Sequence, residues 1–403
     1  MNKKLGIAVD VGTTTIAMHT IDLGTGERLD SYGALNPQGI HGADVSSRIS
    51  YCAQNGHEPL SELIRKSIDE YAAHFENIEH VVIAGNTIMQ HLVAGFSPVS
   101  MGASPFTPLS LFGETLPAWE SLLELQDTDV YYTPAISAYV GGDITAGLLA
   151  ADFERIYGTA LLLDIGTNGE IVLKHEGVYY CCAAAAGPAF EGAEITKGMS
   201  AQKGAIDHVW QETSGIEYSV IDNAIPQGLC GSGLLDLLAV LIEKGEVDET
   251  GRLVGKDRFY LPNNSVNEKI SVASASSDMG ESEVYITATD VRKLQLAKAA
   301  IAGGIQVLLH YAGIKESDIE LLALSGGFGS YLNPESAARI GLFPKVLLPV
   351  AKAYGNTAGD GAAKVLYSPE ARVELETIRK KSEYIELSSN ALFNDKFMEE
   401  MVF

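Results

Sequence analysis

Apolar and polar positions alternate from Leu5 to Val11, the period of a β-strand with one face against a core. Thr15 to Ile21 reads as a second strand and Leu29 to Leu35 as a third. Gly12-Thr13-Thr14 makes a tight turn between the first two, so the opening predicts an antiparallel meander. Helical periodicity follows over 43–51 and 60–75, with Ser61 a candidate cap. A short apolar strand over 80–84 leads into a helix beginning at Asn86-Thr87, and the Pro-rich stretch 97–109 reads as loop. A strand over 130–133 precedes an Ala/Gly/Leu-rich helix over 137–153.

The opening pattern then returns. Thr159 to Leu163 is an apolar strand ending in Asp164, followed by Gly166-Thr167-Asn168-Gly169 and strands over 170–174 and 178–184. VDVGTTTIAM at 9–18 and LDIGTNGEIVL at 163–173 form an internal repeat of strand, Asp, Gly-Thr turn and strand, 154 residues apart. Helices are expected over 233–244, 290–311, 334–341 and 355–366, and a strand over 321–324 running into SGGFG. The repeat predicts two lobes, 1–145 and 146–403, the second with insertions near 196–222 and 246–285. Its charged, helix-prone C-terminal segment ends in Met401-Val402-Phe403, an apolar ending that predicts packing.

Composition narrows the partners. Acidic residues outnumber basic ones 52 to 28, a net charge of −24, which repels nucleic acid backbones and anionic lipid surfaces alike. A nucleotide ligand would have to arrive with Mg²⁺ and be met by backbone N–H groups. The N-terminus has no signal-peptide h-region, and no apolar run reaches membrane-spanning length; the expected location is cytoplasmic. The four cysteines, Cys52, Cys181, Cys182 and Cys230, include no CxxC, so reduced buried thiols are expected and no iron–sulfur cluster in this chain. A homodimer is among the expected partners, and a symmetric one could bring two Cys181-Cys182 pairs together.

Asp10 and Asp164 carry the chemistry of the repeat. Each ends a buried strand before a turn of glycine and small hydroxyl residues, whose N–H groups suit a phosphate chain. A carboxylate reaches phosphate through Mg²⁺ and its waters, so both are candidate metal-side residues. The turns nominate Gly12, Thr13, Thr14 and Thr15, and Gly166, Thr167 and Asn168, as phosphate-binding. Ser325-Gly326-Gly327-Phe328-Gly329 follows a strand and admits a flat ring or a phosphate close to backbone; it is neither GxGxxG nor a P-loop. Two small-residue helices, carrying Asp143 and Asp360, are suited to close crossing as a hinge. Asp143 or Glu170 is the candidate for orienting an attacking water; a helix-terminal role for Asp143 and an exposed salt bridge for Glu170 are the alternatives. GLCGSG at 228–233 opens a helix, either lining a nucleotide with Gly231 and Ser232 or simply starting the helix beside a buried Cys230.

These motifs resemble the ATPase superfamily of actin, sugar kinases, acetate kinase and heat-shock-70. The resemblance implies an α/β fold of mixed sheets, built from duplicated ribonuclease-H-like domains, with ATP and Mg²⁺ held in the cleft between lobes. In that scheme the phosphate motifs are Asp10 to Thr15 and Asp164 to Glu170, the connecting helices 138–148 and 355–363 (which brings in Asn356), and the adenosine motif Ser325 to Gly329. Longer strings, NPQGIHGADVSSRI (36–49), VIAGNTIMQHL (82–92), AAAAGPAFEGAEITKGM (183–199), IPQGLCGSGLLDLL (225–238) and LALSGGFGSYLNPESAARIGLFP (322–344), resemble the reductive activators of corrinoid proteins. That family uses ATP to support reduction of Co(II) corrinoid to Co(I) for methyl transfer. The resemblance implies an ATPase whose partner is a corrinoid protein. Such activators usually carry an iron–sulfur module, which this chain lacks, so it is either part of a longer protein or works with a separate electron donor. A small-molecule kinase, or an ATP-binding scaffold or chaperone with slow hydrolysis, would use the same fold.

Overall fold

The computed structural model describes residues 3–118, 125, 128–262, 284–329 and 331–403. The part of the 246–285 insertion between 263 and 283 lies outside the described residues.

The opening meander forms as its alternation requires. β1 (Leu5–Val11) pairs antiparallel with β2 (Thr15–Asp22), and β2 with β3 (Arg28–Leu35). β4 (Ile78–Gly85) adds parallel to β1, in a register that sets Asp10 beside Ala84 and Val11 beside Gly85. With β5 (Thr115–Pro117) and β6 (Asp129–Tyr132), the sheet has the order β3-β2-β1-β4-β6-β5.

The two faces of β1 are built differently. Ile7, Val9 and Val11 join Ile16, Met18, Val81 and Ile83 in one buried core. That core takes in α1 (Val45–Asn55), α2 (Glu58–Ala72) and α3 (Thr87–Ala94) through Ile49, Leu60, Ile64, Ile68 and Leu92. The opposite face carries Gly6, Ala8 and Asp10, because side chains alternate along a strand. A Cβ at Gly6 would stand 2.7 Å from Leu366 of a C-terminal helix, so the small residues let that helix lie against the strand. Asp10 emerges at the end of this row.

α1 starts at a capping box, with Asp44 Oδ1 accepting from Ser47 N–H at 2.7 Å. Ser61 is not a cap. It lies buried inside α2, which begins at Glu58 with Pro59 in its first turn, where a missing N–H costs nothing. The helix expected over 137–153 is shorter, α4 (Gly142–Ala150). Gly141 and Gly142 press on neighbouring backbone, and a Cβ on Gly141 would meet Gly85 O at 2.6 Å. That approach holds the preceding residues out of the helix.

The repeated motif gives β7 (Ala160–Ile165), β8 (Gly169–His175) and β9 (Val178–Ala184). The hairpin β10 (Ala205–Glu212) and β11 (Gly215–Val220) fills the first insertion, with β12 (Gly228–Leu229) beside β10. Arg258–Tyr260 and Tyr285–Thr287 pair as β13 and β14 from the second insertion. With β15 (Leu321–Ser325), β16 (Ala351–Gly355) and β17 (Ser382–Tyr384), the second six-stranded sheet has the order β16-β15-β7-β8-β9-β17. β7 is flanked there as β1 is in the first sheet, so the sequence repeat is a repeat of topology.

By compactness the chain forms two units, Met1–Asp164 with Val172–Ala183 and Tyr354–Glu386, and Ile165–Ile171 with Ala184–Ala353 and Leu387–Phe403. They are not contiguous stretches, because α7 (Thr357–Tyr367) packs with the first unit on β1 and α4. In the second unit α5 (Gly231–Glu243) and α6 (Ala288–Ala312) are the long helices, and α6 is capped by Thr287 and Asp290. The chain end is packed there: Gln295 Nε2 donates to Met401 O at 2.6 Å, Lys298 Nζ to Val402 O at 2.6 Å, and Phe403 N–H to Glu249 O at 3.0 Å. All four cysteines are buried free thiols. Among the described residues no helix is long and apolar enough to cross a membrane.

Candidate functional site

Three carboxylates of the first unit lie near enough to raise one another's proton affinity. Asp10 ends the small-residue face of β1, Asp143 sits in the first turn of α4, and Asp164 lies at the end of β7. Asp10 titrates near 7 instead of 3.8, because burial disfavours its charge and Asp164 repels it; a hydrogen bond from Asn356 only partly offsets this. Asp143 is likewise pushed up, first by burial and then by the charges of Asp164 and Asp10. Carboxylates arranged this way hold protons unless a cation neutralises them. They are hard oxygen donors, the type Mg²⁺ selects. Among the described residues no group of three or more His, Cys, Asp or Glu is placed to hold a metal ion by itself.

Asn356 has a specific post. It is the N-cap of α7, its Oδ1 accepting from Gly359 N–H at 3.1 Å, while its Nδ2 donates to Asp10 Oδ2 at 2.9 Å. The residue expected to touch nucleotide is engaged with Asp10. Asp143 Oδ1 accepts from Ile144 N–H at 2.9 Å, so its helix-terminal role and its place in the carboxylate group coexist. Asp360 lies apart from the three, exposed and paired with Arg28.

The two small-residue helices cross closely within this unit. A Cβ on Gly361 of α7 would overlap Ala146 O of α4, and one on Gly147 would stand 2.8 Å from Thr357 Oγ1. Gly361→Ala is expected to lower stability by about 1–3 kcal/mol through overpacking, which outweighs the roughly 1 kcal/mol gained in helix propensity. The check is the denaturant midpoint; an unchanged or raised midpoint would show that the helices are not held at this spacing.

The turn from Gly12 to Thr15 is held from behind by residues that sequence reasoning did not single out. Asn36 Nδ2 donates to Gly12 O at 2.8 Å, Asn36 N–H to Thr14 O at 2.8 Å, and Arg48 Nη2 to Thr13 O at 2.6 Å. Both residues stand in the string at 36–49.

In the second unit, Thr167 Oγ1 donates to Glu191 Oε2 at 2.9 Å, placing an unanticipated carboxylate on the second turn. Glu170 is buried in β8, which removes the exposed salt-bridge alternative. GLCGSG and SGGFG come together here. A Cβ on Gly231 would overlap Phe190 O and stand 2.8 Å from the Phe328 ring, and Phe190 stacks on Phe328 at 5.4 Å with an interplanar angle of 11°. Ser232 follows Gly231 in α5, with its hydroxyl 3.4 Å from Cys230 Sγ. Gly326 takes a φ of +90°, open to glycine, and nothing lies within 4 Å of a Cβ built on Gly327.

Duplicated mixed sheets with an aspartate ending the central strand of each define a protein of the ASKHA type. Residues 158–403 match the family model described as the C-terminal domain of RACo, the ASKHA domain, and residues 5–156 match the RACo middle region. The chain belongs to this family. It is 33% identical over 418 aligned residues to the corrinoid activation enzyme RamQ of Eubacterium limosum, covering 99% of this chain and 70% of that one. It is 24% identical to the [Co(II) methylated amine-specific corrinoid protein] reductase of Methanosarcina barkeri, covering 98% of this chain and 76% of that one. A solved reductive activator for corrinoid, iron–sulfur protein superposes with a TM-score of 0.86 at 35% identity, over 100% of this chain and 66% of that chain. The three carboxylates span both family matches, Asp10 and Asp143 in the first and Asp164 in the second.

Proposed function

We propose that this chain is an ATP-dependent activator of a corrinoid protein, using ATP binding and hydrolysis to support one-electron reduction of Co(II) corrinoid to Co(I). The observation that carries the nucleotide part is the convergence of Asp10, Asp143 and Asp164, with the pKa of Asp10 raised to about 7 and that of Asp143 raised as well. The corrinoid part rests on family membership and on what the relatives are named for. The electron comes from a separate donor or iron–sulfur module.

Bound Mg²⁺ would neutralise charge on the β- and γ-phosphates. Asp10 and Asp164 would be the residues that hold it, and Asn356 fixes the orientation of Asp10. Asp143, whose proton affinity is raised toward neutrality, is suited to accept a proton from an attacking water; Glu170 is the second candidate. The candidate phosphate contacts are the turn residues Gly12, Thr13, Thr14 and Thr15 in the first unit and Gly166, Thr167 and Asn168 in the second. Gly231, Ser232, Gly326, Gly327 and Phe328 take the adenosine side. The lobes 1–145 and 146–403 are the two topological halves of this reading. Coupling to the corrinoid protein requires that the nucleotide bind two states of this protein unequally.

The test combines purified protein, a candidate corrinoid protein and an artificial low-potential reductant, with Co(I) followed by its absorbance. The expected result is a Co(I) yield that rises several-fold with MgATP, and ATP turnover that rises with the Co(II) corrinoid protein. A yield independent of ATP would overturn the activator reading. Faster turnover with a small hydroxyl or carboxylate substrate would point to a kinase.

A further inference from the structure

Arg48 is fully buried, and the partners of its guanidinium are neutral acceptors. Nε donates to Gly42 O at 3.0 Å, Nη1 to Gln38 Oε1 at 3.1 Å and to Met89 Sδ at 3.1 Å, and Nη2 to Thr13 O at 2.6 Å. Burial pulls its pKa down to about 10, with Asp44 offsetting part of the shift, so it stays charged at neutral pH. A buried cation held by neutral acceptors is costly to keep in a protein interior. The geometry suggests its use.

In a trans peptide the carbonyl of one residue and the N–H of the next point in opposite directions. Asn36 and Arg48 hold the Gly12 and Thr13 carbonyls to one side, at 2.8 and 2.6 Å. The N–H groups of Thr13 and Thr14 are therefore turned to the other side. A charge-assisted bond to the Thr13 carbonyl also polarises that peptide and makes its N–H a stronger donor.

We propose that Asn36 and Arg48 are positioning residues that make the turn after β1 an anion-binding turn, Arg48 supplying a buried positive charge from behind it. This rests on the nucleotide reading above. The ligand chemistry is a phosphate chain, and the two residues act on it only through the turn's peptides.

The test measures ADP and adenosine affinity on the full chain for wild type, Arg48→Met, Arg48→Lys and Asn36→Ser, alongside thermal stability. Asn36→Ser is the gentle variant, since a hydroxyl keeps an acceptor for the Gln38 N–H that Asn36 Oδ1 holds at 3.0 Å, adds no charge, and removes the Nδ2 donor to Gly12 O and Met89 Sδ. ADP affinity is expected to fall about tenfold or more in Arg48→Met and several-fold in Asn36→Ser with adenosine affinity unchanged, and Arg48→Lys is expected to recover part of the loss. A folded variant with the wild-type ratio of ADP to adenosine affinity overturns the proposal. So does equal loss of both ligands, which is what a merely structural role predicts. If Arg48→Met does not fold, Asn36→Ser decides. Wild-type protein that binds neither ligand overturns the nucleotide reading and this proposal with it; wild-type binding with an unchanged ratio in the variants overturns this proposal alone.

Discussion

Asp164→Ala is expected to reduce Mg²⁺-dependent ATP turnover by about 10²-fold or more, with the melting temperature nearly unchanged. Packing at the end of β7 is supplied by Leu161, Leu162, Leu163 and Ile165, all fully buried, so truncating the aspartate removes little apolar contact. Its charge raises the pKa of both Asp10 and Asp143, so its removal relieves repulsion in the folded state. A metal-side carboxylate contributes most when negative charge moves onto the transferred phosphoryl group, which places the loss in turnover. Nucleotide affinity without Mg²⁺ should be largely retained. A turn-forming role predicts instead a lower melting temperature and a proportionate loss of every function. Turnover, Mg²⁺-free affinity and melting measured on one preparation separate the two, and a well-folded variant with normal hydrolysis would sink the metal-side assignment.

The carboxylate group could be read in the sequence because duplication labels it. An aspartate before a Gly-Thr turn is ordinary once, but two copies after matching strands mark matching posts, and Asp10 and Asp164 do interact. The strands were legible for a local reason. Alternation in Leu5–Val11 already separates a core face from a helix-covered face. The clamp behind the first turn was not legible. Arg48 reads as one more polar residue of a helix, and only folding brings it to Thr13, 35 positions earlier. Glu191 was hidden similarly, in a string that points to a family without saying which acid meets Thr167. The late start of α4 has a local and a tertiary cause: glycine is a poor helix former, so Gly141-Gly142 favour a helix start there, and their approach to Gly85 and Thr133 fixes it.

Asp10→Asn is expected to cost about 10²-fold or more in turnover while raising the melting temperature at alkaline pH. The substitution keeps shape and an acceptor for Asn356 Nδ2, and removes the charge. The sign follows from proton binding. The folded-state pKa of Asp10, about 7, lies above its ordinary 3.8, so between these values the folded state binds a proton more readily than the unfolded chain. The stability contributed by that proton is fully present below about 4 and is lost as pH rises through 7. Above 7 the wild-type protein carries a desolvated charge facing Asp164, and Asp10→Asn does not. Without Mg²⁺, the two proteins should therefore melt together near pH 4 and diverge by a few degrees at pH 8, the variant melting higher. Mg²⁺ with nucleotide should narrow the gap by stabilising the wild type alone. Parallel melting curves across the whole pH range would show that Asp10 is not buried against its neighbours' charge. Hydrolysis at the wild-type rate in the variant would remove Asp10 from the metal side altogether.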